Sequence, residues 1–250
     1  MSRKADAEDG VPRVSSGERV YAIGDVHGRR DLLLRLFDLI VRDARRFDDG
    51  RVPRLVFLGD YVDRGDDSAA VLDVLCDLAA EGLTGLDFLL GNHEAALLAF
   101  LDTPARGRSW LAYGGRQTLA SYGVAPPGER ADEEELTRAR DLLRAAMGRH
   151  REFLETLKPC ARSGEVLFVH AGVNPEAASP EDDRHALLWG HPACRGPEPI
   201  PGLRLVHGHF DAPAPVVHRG RICVDTGAFY TGRLTAVRLD DGEAFLTAEL

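Results

Sequence analysis

Six residues with metal-binding side chains sit in short polar motifs, and each motif begins where an apolar run stops. Tyr21-Ala22-Ile23 leads into Gly24-Asp25-Val26-His27-Gly28. Leu55-Val56-Phe57-Leu58 leads into Gly59-Asp60-Tyr61-Val62-Asp63-Arg64-Gly65, and Phe88-Leu89-Leu90 into Gly91-Asn92-His93-Glu94. Later, Val166-Leu167-Phe168-Val169 runs into His170-Ala171-Gly172, and Leu203-Arg204-Leu205-Val206 into His207-Gly208-His209. Asp25 and His27, two apart past a strand end, can face one ion. The carboxylate of Asp60 has two oxygens and can bridge two ions, while Asn92, His170 and His209 offer neutral donors. This mixed oxygen and nitrogen set suits Mn²⁺, Fe or Zn²⁺ better than Ca²⁺. Two such ions about 4 Å apart lower the pKa of a shared water from ~15.7 toward ~7 and neutralise phosphoryl oxygens.

A second group of residues suits phosphoryl transfer. Arg64 can hold phosphate oxygens bidentately. His93 follows the candidate ligand Asn92 and is placed to donate a proton to a leaving oxygen, with Asp63 to orient it and raise its pKa. Asn92 is also within reach of the phosphate. As one set, these residues point to a hydroxide nucleophile and a His general acid acting on a phosphate ester.

The elements that must position them follow from periodicity. Strands are expected at Arg19–Gly24, Arg54–Leu58 and Leu86–Leu90, alternating with helices at Arg30–Arg46 and Ser68–Glu81. Strand, helix, strand, helix, strand implies a mainly parallel sheet, with functional loops at the carboxyl ends of its strands. Residues 105–158 carry no strong strand signal and read as a helical insertion, with one amphipathic helix over Glu133–Leu157. His150 falls on its apolar face and is read as packing. From Val166 short strands return, with hairpin turns at Arg219-Gly220 and Asp241-Gly242. Residues 1–17 read as a disordered tail and 18–250 as one domain.

Composition narrows the function classes. The chain has 250 residues, 28% of them charged, and a net charge of −9. It lacks the basic field of a non-specific nucleic-acid binder, and no nucleic acid or membrane is expected as a partner. No apolar run precedes Tyr21, so no signal peptide is read and the cytoplasm is the expected location. Cys76, Cys160, Cys194 and Cys223 are far apart and read as reduced thiols.

The motifs Asp25-Val26-His27-Gly28, Gly59-Asp60-Tyr61-Val62-Asp63-Arg64-Gly65, Gly91-Asn92-His93-Glu94, His170-Ala171-Gly172 and Gly208-His209 resemble the signature of calcineurin-like metallophosphoesterases. Asp-Arg-Gly and Asn-His-Glu are similar to the phosphoprotein phosphatase branch, in particular bacterial serine/threonine phosphatases. Gly114-Gly115-Arg116-Gln117-Thr118-Leu119 and Asp225-Thr226-Gly227-Ala228 also look like those members. The resemblance implies a four-layer α/β/β/α sandwich of two facing mixed sheets. It implies one metal on Asp25, His27 and Asp60, and a second on Asp60, Asn92, His170 and His209. It also implies His93 as general acid backed by Asp63, with Arg64 on phosphate. By the same pattern His209 rather than His207 is the ligand.

One departure concerns the phosphate clamp. Trp189-Gly190-His191 stands where many bacterial relatives carry Trp-x-Arg, leaving His191 or Arg195 as the second clamp, and Phe210 stands where Thr or Ser is usual. The expected activity is hydrolysis of phosphoserine and phosphothreonine in phosphoproteins with two divalent ions, Mn²⁺ first among them. The alternative is a symmetrical dinucleoside tetraphosphate hydrolase. Those relatives usually lack an acid at the position of Asp63 and often have Asp where Glu94 stands, which favours the phosphatase. A non-catalytic scaffold would show degenerate ligands, and all six are present.

Overall fold

The structure is a computed structural model that describes residues 10–197 and 200–250. The first half alternates as its periodicity predicts. Strand β1 (Arg19–Ile23), helix α1 (Arg30–Ala44), strand β2 (Pro53–Phe57), helix α2 (Ser68–Ala80) and strand β3 (Leu86–Phe88) follow in order. Both crossovers return a parallel strand, β1 beside β2 and β2 beside β3. Helix α3 (Asn92–Asp102) starts at the third motif itself.

The stretch expected as an insertion is helical. Short α4 (Gly107–Trp110) passes through a five-residue π turn, Leu111–Gly115, into α5 (Arg116–Ser121). The single helix expected over Glu133–Leu157 is two, α6 (Glu133–Met147) and α7 (Arg149–Glu155). Gly148 separates them with φ +52° and ψ −126°, a backbone state that no helix contains. His150 is buried, with Nδ1 2.7 Å from the Tyr122 hydroxyl and Nε2 3.1 Å from Asp73, so it packs and hydrogen-bonds and belongs to neither group of candidate ligands.

The second half runs through β4 (Cys160–Ser163), β5 (Val166–Val169), α8 (Arg184–Trp189), β6 (Arg204–His207), β7 (Val216–His218), β8 (Arg221–Cys223), α9 (Ala228–Thr231), β9 (Arg233–Leu239) and β10 (Glu243–Glu249). One sheet has the order β10-β9-β1-β2-β3 and the other β4-β5-β6-β8-β7, both mixed. Strand β4 carries no apolar alternation and escapes sequence reading; it is held by antiparallel pairing with β5. Strand β9 leaves the second half and pairs antiparallel with β1.

Alternation along the strands builds the layers. Tyr21 and Ile23 join the core under α1 and α2, while Val20 and Ala22 face Val166, Phe168, Val206 and Ile222 of the other sheet. On that sheet Leu167, Val169 and Leu205 point outward, to Leu187 of α8 and to Cys194. Helices, sheet, sheet, helix is thus the order of packing, and the outer helical layer over the second sheet is thin. Of the expected tail, residues 1–9 lie outside the described residues. Residues 10–17 do not behave as a free tail: Val14 is buried, the Ser15 N–H donates to Ser163 Oγ at 2.9 Å, and the Arg13 carbonyl accepts from Glu165 N–H at 2.9 Å.

Candidate metal centre

All five motifs meet where the strands of the two sheets end. Among the described residues, five non-glycine residues have positive φ: His27 (42°), Asp60 (53°), Asp63 (72°), Arg64 (67°) and His209 (65°). Each belongs to the predicted site. Such conformations cost roughly 1–3 kcal/mol each and persist where surrounding structure over-determines them. At Asp60 the bonds that do so are visible. Its carbonyl accepts from Val26 N–H at 3.0 Å and His27 N–H at 2.8 Å, and its own N–H donates to Glu94 Oε2 at 2.8 Å. Gly59 next to it has φ +101°, and a Cβ there would stand 2.6 Å from Gly91 N, so only glycine lets the second and third motifs touch.

Asp60 is the centre of the set. Its Oδ2 lies 3.5 Å from His27 Nε2, and its Oδ1 lies 3.5 Å from His170 Nε2. Two groups of potential ligand atoms share it: His27, Asp60 and His93, and Asp60, His170 and His209. Asn92 Oδ1 joins the second group, 2.8 Å from His170 Nε2 and 2.9 Å from His209 Nδ1. Asp25 is in neither three-residue group; its carboxylate accepts from His209 N–H at 3.1 Å and hydrogen-bonds Asp225.

The donor atoms fit a pair of cations. His27 Nδ1 is 2.8 Å from the Val62 carbonyl and so carries the proton, which leaves Nε2 buried, bare and without a hydrogen-bond partner. His170 Nδ1 donates to the Leu58 carbonyl at 2.9 Å, which turns the lone pair of its Nε2 toward the oxygens of Asn92 and Asp60. Acceptors pointed at acceptors are reconciled by a cation between them. Burial lowers the pKa of His27 to about 3 and that of His209 to about 4, and it lowers that of His170 as well, so the imidazoles are neutral as ligation requires. Burial, then the charges of Asp225 and Asp60, raise Asp25 well above the ordinary carboxylate range. Burial raises Asp225 to about 6. Two buried carboxyls that raise one another's pKa are favoured by positive charge placed beside them.

His93 is oriented by a buried cradle. Its Nδ1 lies 2.7 Å from Asp63 Oδ2, and its Nε2 3.9 Å from Asp60 Oδ2. Burial lowers the pKa of His93, but the charge of Asp60 and the bond to Asp63 outweigh it and the net shift is upward. Asp63 also accepts from Trp110 Nε1 at 2.9 Å and Thr118 Oγ1 at 2.6 Å. Trp110 was not singled out by sequence reasoning, and Thr118 entered only inside the Gly-Gly-Arg-Gln-Thr motif. No local signal reports that the insertion reaches back to Asp63.

Glu94 is the other residue that sequence reasoning undervalued. Its Oε1 accepts from Tyr61 N–H at 2.8 Å and Val62 N–H at 3.1 Å, and its Oε2 from Asp60 N–H at 2.8 Å and Gly91 N–H at 3.1 Å. One buried carboxyl thereby shapes the loop that presents Asp60, Asp63 and Arg64. Arg64 itself has no carboxylate partner among the described residues; its guanidinium lies 5.1 Å from the Phe229 ring centroid. Across the site, His191 Nδ1 accepts from Ala193 N–H at 3.3 Å and so caps its own turn, while the Arg195 guanidinium stands 5.1 Å from the Phe210 ring. His207 is a buried strand residue bonded to the Gly208 carbonyl and to Arg221. All four cysteines are free thiols. No helix among the described residues is long and apolar enough to cross a membrane.

The profile of the calcineurin-like phosphoesterase family matches residues 18–221. The chain is 27% identical over 237 residues to an asymmetrical bis(5'-nucleosyl)-tetraphosphatase of Geobacillus thermodenitrificans, covering 86% of this chain and 88% of that one. It is 27% identical over 272 residues to a symmetrical bis(5'-nucleosyl)-tetraphosphatase of Methylococcus capsulatus, covering 88% and 91%. Among solved structures, a putative diadenosine tetraphosphatase superposes with a TM-score of 0.58 at 22% identity, over 94% of this chain and 97% of that one. A serine/threonine phosphatase of Saccharomyces cerevisiae superposes at 0.55 and 16% identity, over 96% and 84%; at these identities both likenesses speak to the fold. With the five motifs, the two facing sheets and a profile match over most of its length, the chain belongs to the calcineurin-like phosphoesterase family.

Proposed function

We propose that the chain hydrolyses a phosphoanhydride bond of dinucleoside polyphosphates at a two-metal centre. The observation that carries this reading is the match to tetraphosphatases across 86–88% of the chain. It replaces the phosphoprotein phosphatase favoured by the sequence. Against the dinucleotide hydrolase that preference rests on Asp63 and Glu94, and the contacts of those two residues do not distinguish the two activities. Asp63 is fully buried and touches His93, Trp110 and Thr118; Glu94 binds four backbone N–H groups. Both support the site in the same way whether the bond cleaved is an ester or an anhydride.

Hydrolysis joins a water oxygen to one phosphorus and releases the bridging oxygen on the departing nucleotide. Two divalent ions held by Asp25, His27, Asp60, Asn92, His170 and His209 would supply the positive charge for the water and the phosphoryl oxygens. Mn²⁺ is the ion we favour, and Fe or Zn²⁺ suits the same nitrogen and oxygen donors. Arg64 takes phosphoryl oxygens through its fork of N–H groups, assisted by the Asn92 amide. His93 has Nδ1 committed to Asp63 and keeps Nε2 for the bridging oxygen, to which it delivers a proton. Asp63 fixes the tautomer and stabilises the imidazolium.

The test sets diadenosine tetraphosphate against a phosphoserine peptide, with Mn²⁺ and the unaltered protein. The reading requires the larger kcat/KM for the dinucleotide; a larger value for the phosphopeptide restores the protein phosphatase. Products then assign the mode, two ADP for symmetrical cleavage or ATP with AMP for asymmetrical.

A further inference from the structure

Two clefts open beside the metal centre, and they share a construction. In the first, the Phe229 ring meets the His27 ring edge-on at 5.6 Å, and the Arg64 guanidinium lies 5.1 Å from the Phe229 centroid. These two residues line a cleft of about 660 Å³ whose other lining comes from the insertion, with Arg108, Leu111, Tyr113 and Arg116. In the second, the Phe210 ring meets the His209 ring edge-on at 4.7 Å, and the Arg195 guanidinium lies 5.1 Å from the Phe210 centroid. Phe210, Arg195 and Trp189 line that cleft, of about 360 Å³. His27 groups with one oxygen of Asp60, and His209 groups with His170 around the same carboxylate. An Arg–Phe–His series therefore stands on either side of Asp60.

The unused chemistry of both clefts is the same. Among the described residues Arg64, Arg108 and Arg195 form no salt bridge, although Glu129 also lines the first cleft, in a chain with 40 acidic against 31 basic residues. Guanidinium groups outside salt bridges are ready for phosphate oxygens. Each cleft also carries an exposed aromatic ring, Tyr113 at 70% exposure and Trp189 at 47%. Such a face suits a stacked base. The first cleft lies within the ~300–1,000 Å³ usual for small-molecule sites. A ring for the base and a cation for the phosphate together suit one nucleotide.

We propose that the two clefts are the two nucleotide subsites of a dinucleoside polyphosphate, with the scissile phosphorus between them. Tyr113 and Arg108 receive one end, and Trp189 and Arg195 the other. This rests on the hydrolase reading above.

The experiment compares diadenosine tetraphosphate with p-nitrophenyl phosphate, which lacks both nucleosides, for the unaltered protein and for Tyr113→Ala, Arg108→Ala and Trp189→Ala. All three side chains are exposed, so the fold survives their removal. The ratio of the two kcat/KM values should fall roughly tenfold or more in each variant, mainly through KM for the dinucleotide, and Tyr113→Phe should restore it. Ratios within about twofold of the unaltered protein in all three variants overturn the subsites while dinucleotide hydrolysis stands. A fall confined to one cleft overturns the two-ended assignment. If the unaltered protein cleaves the phosphopeptide and not the dinucleotide, the hydrolase reading falls and these subsites fall with it.

Discussion

His93 Nδ1 lies 2.7 Å from Asp63 Oδ2, and both side chains are buried where a strand-end loop meets the first turn of α3. The pair joins two motifs 30 residues apart in sequence, and the insertion completes it, because Trp110 and Thr118 hold the Asp63 carboxylate. A histidine so held presents Nε2 alone to a substrate.

His93→Asn should therefore lower kcat on p-nitrophenyl phosphate by roughly 10²–10⁴-fold while metal content stays at two equivalents. Asp63→Asn should lower kcat by less, since His93 survives but loses its anchor. Metal analysis beside steady-state kinetics checks both, and an unchanged kcat for His93→Asn removes it from the reaction.

Glu94→Gln puts an amide NH₂ against backbone donors whichever way the amide is turned, because each carboxylate oxygen accepts from two N–H groups. Two buried donors lose their acceptor, at about 1–3 kcal/mol each. Urea unfolding should show the loss of stability, and kcat should fall with it as the Asp60 loop moves. Glu94→Asp, which keeps both carboxyl oxygens but shortens the reach, should lie between.

Metal removal should lower stability, because the bare Nε2 of His27 and the facing oxygens of Asn92 and Asp60 then have no cation between them. A ligand at a hundred times its Kd stabilises by about 2.7 kcal/mol per site. The Tm should rise with Mn²⁺ concentration after dialysis against a chelator. The substitution Asp60→Asn should abolish most of that rise, since Asp60 faces both groups.

Asp87, in β3, offers a pH-dependent contribution away from the site. Burial raises its pKa, but hydrogen bonds from Lys158 Nζ at 2.6 Å and Arg54 Nε at 2.9 Å outweigh that and the net shift is downward. A depressed pKa means that the folded state favours the carboxylate. The contribution is full above the unfolded value of about 3.9 and is lost as pH falls through the lower folded value. Asp87→Asn should cost roughly 1–2 kcal/mol at pH 7, discounted for the exposed Lys158. Urea midpoints of the two proteins should converge below pH 4.

Much of this molecule is written in its local pattern. The alternation of Val20 to Ile23, and the apolar runs ending in Gly-Asp and Gly-Asn-His, are properties of consecutive residues; they suffice for β1, α1, β2, α2 and β3 and for the motifs at their ends. Other features depend on partners far away in sequence. Apolar faces tell β9 that it must be buried, but not that it lies beside β1 rather than in the second sheet. Strand β4 exists because β5 pairs with it. Gly148 divides one amphipathic pattern without interrupting its periodicity.

The same division runs through the candidate site. The sequence by itself determined which side chains are available for two cations, a phosphate and a proton, because residue type carries donor chemistry. Only the tertiary structure decided that His27, Asp60, Asp63, Arg64 and His209 adopt positive φ, and that Glu94, Trp110 and Thr118 hold the loop and the acid in place. Local preference opposes those backbone states, and hydrogen bonds between residues 30 to 184 positions apart overcome it.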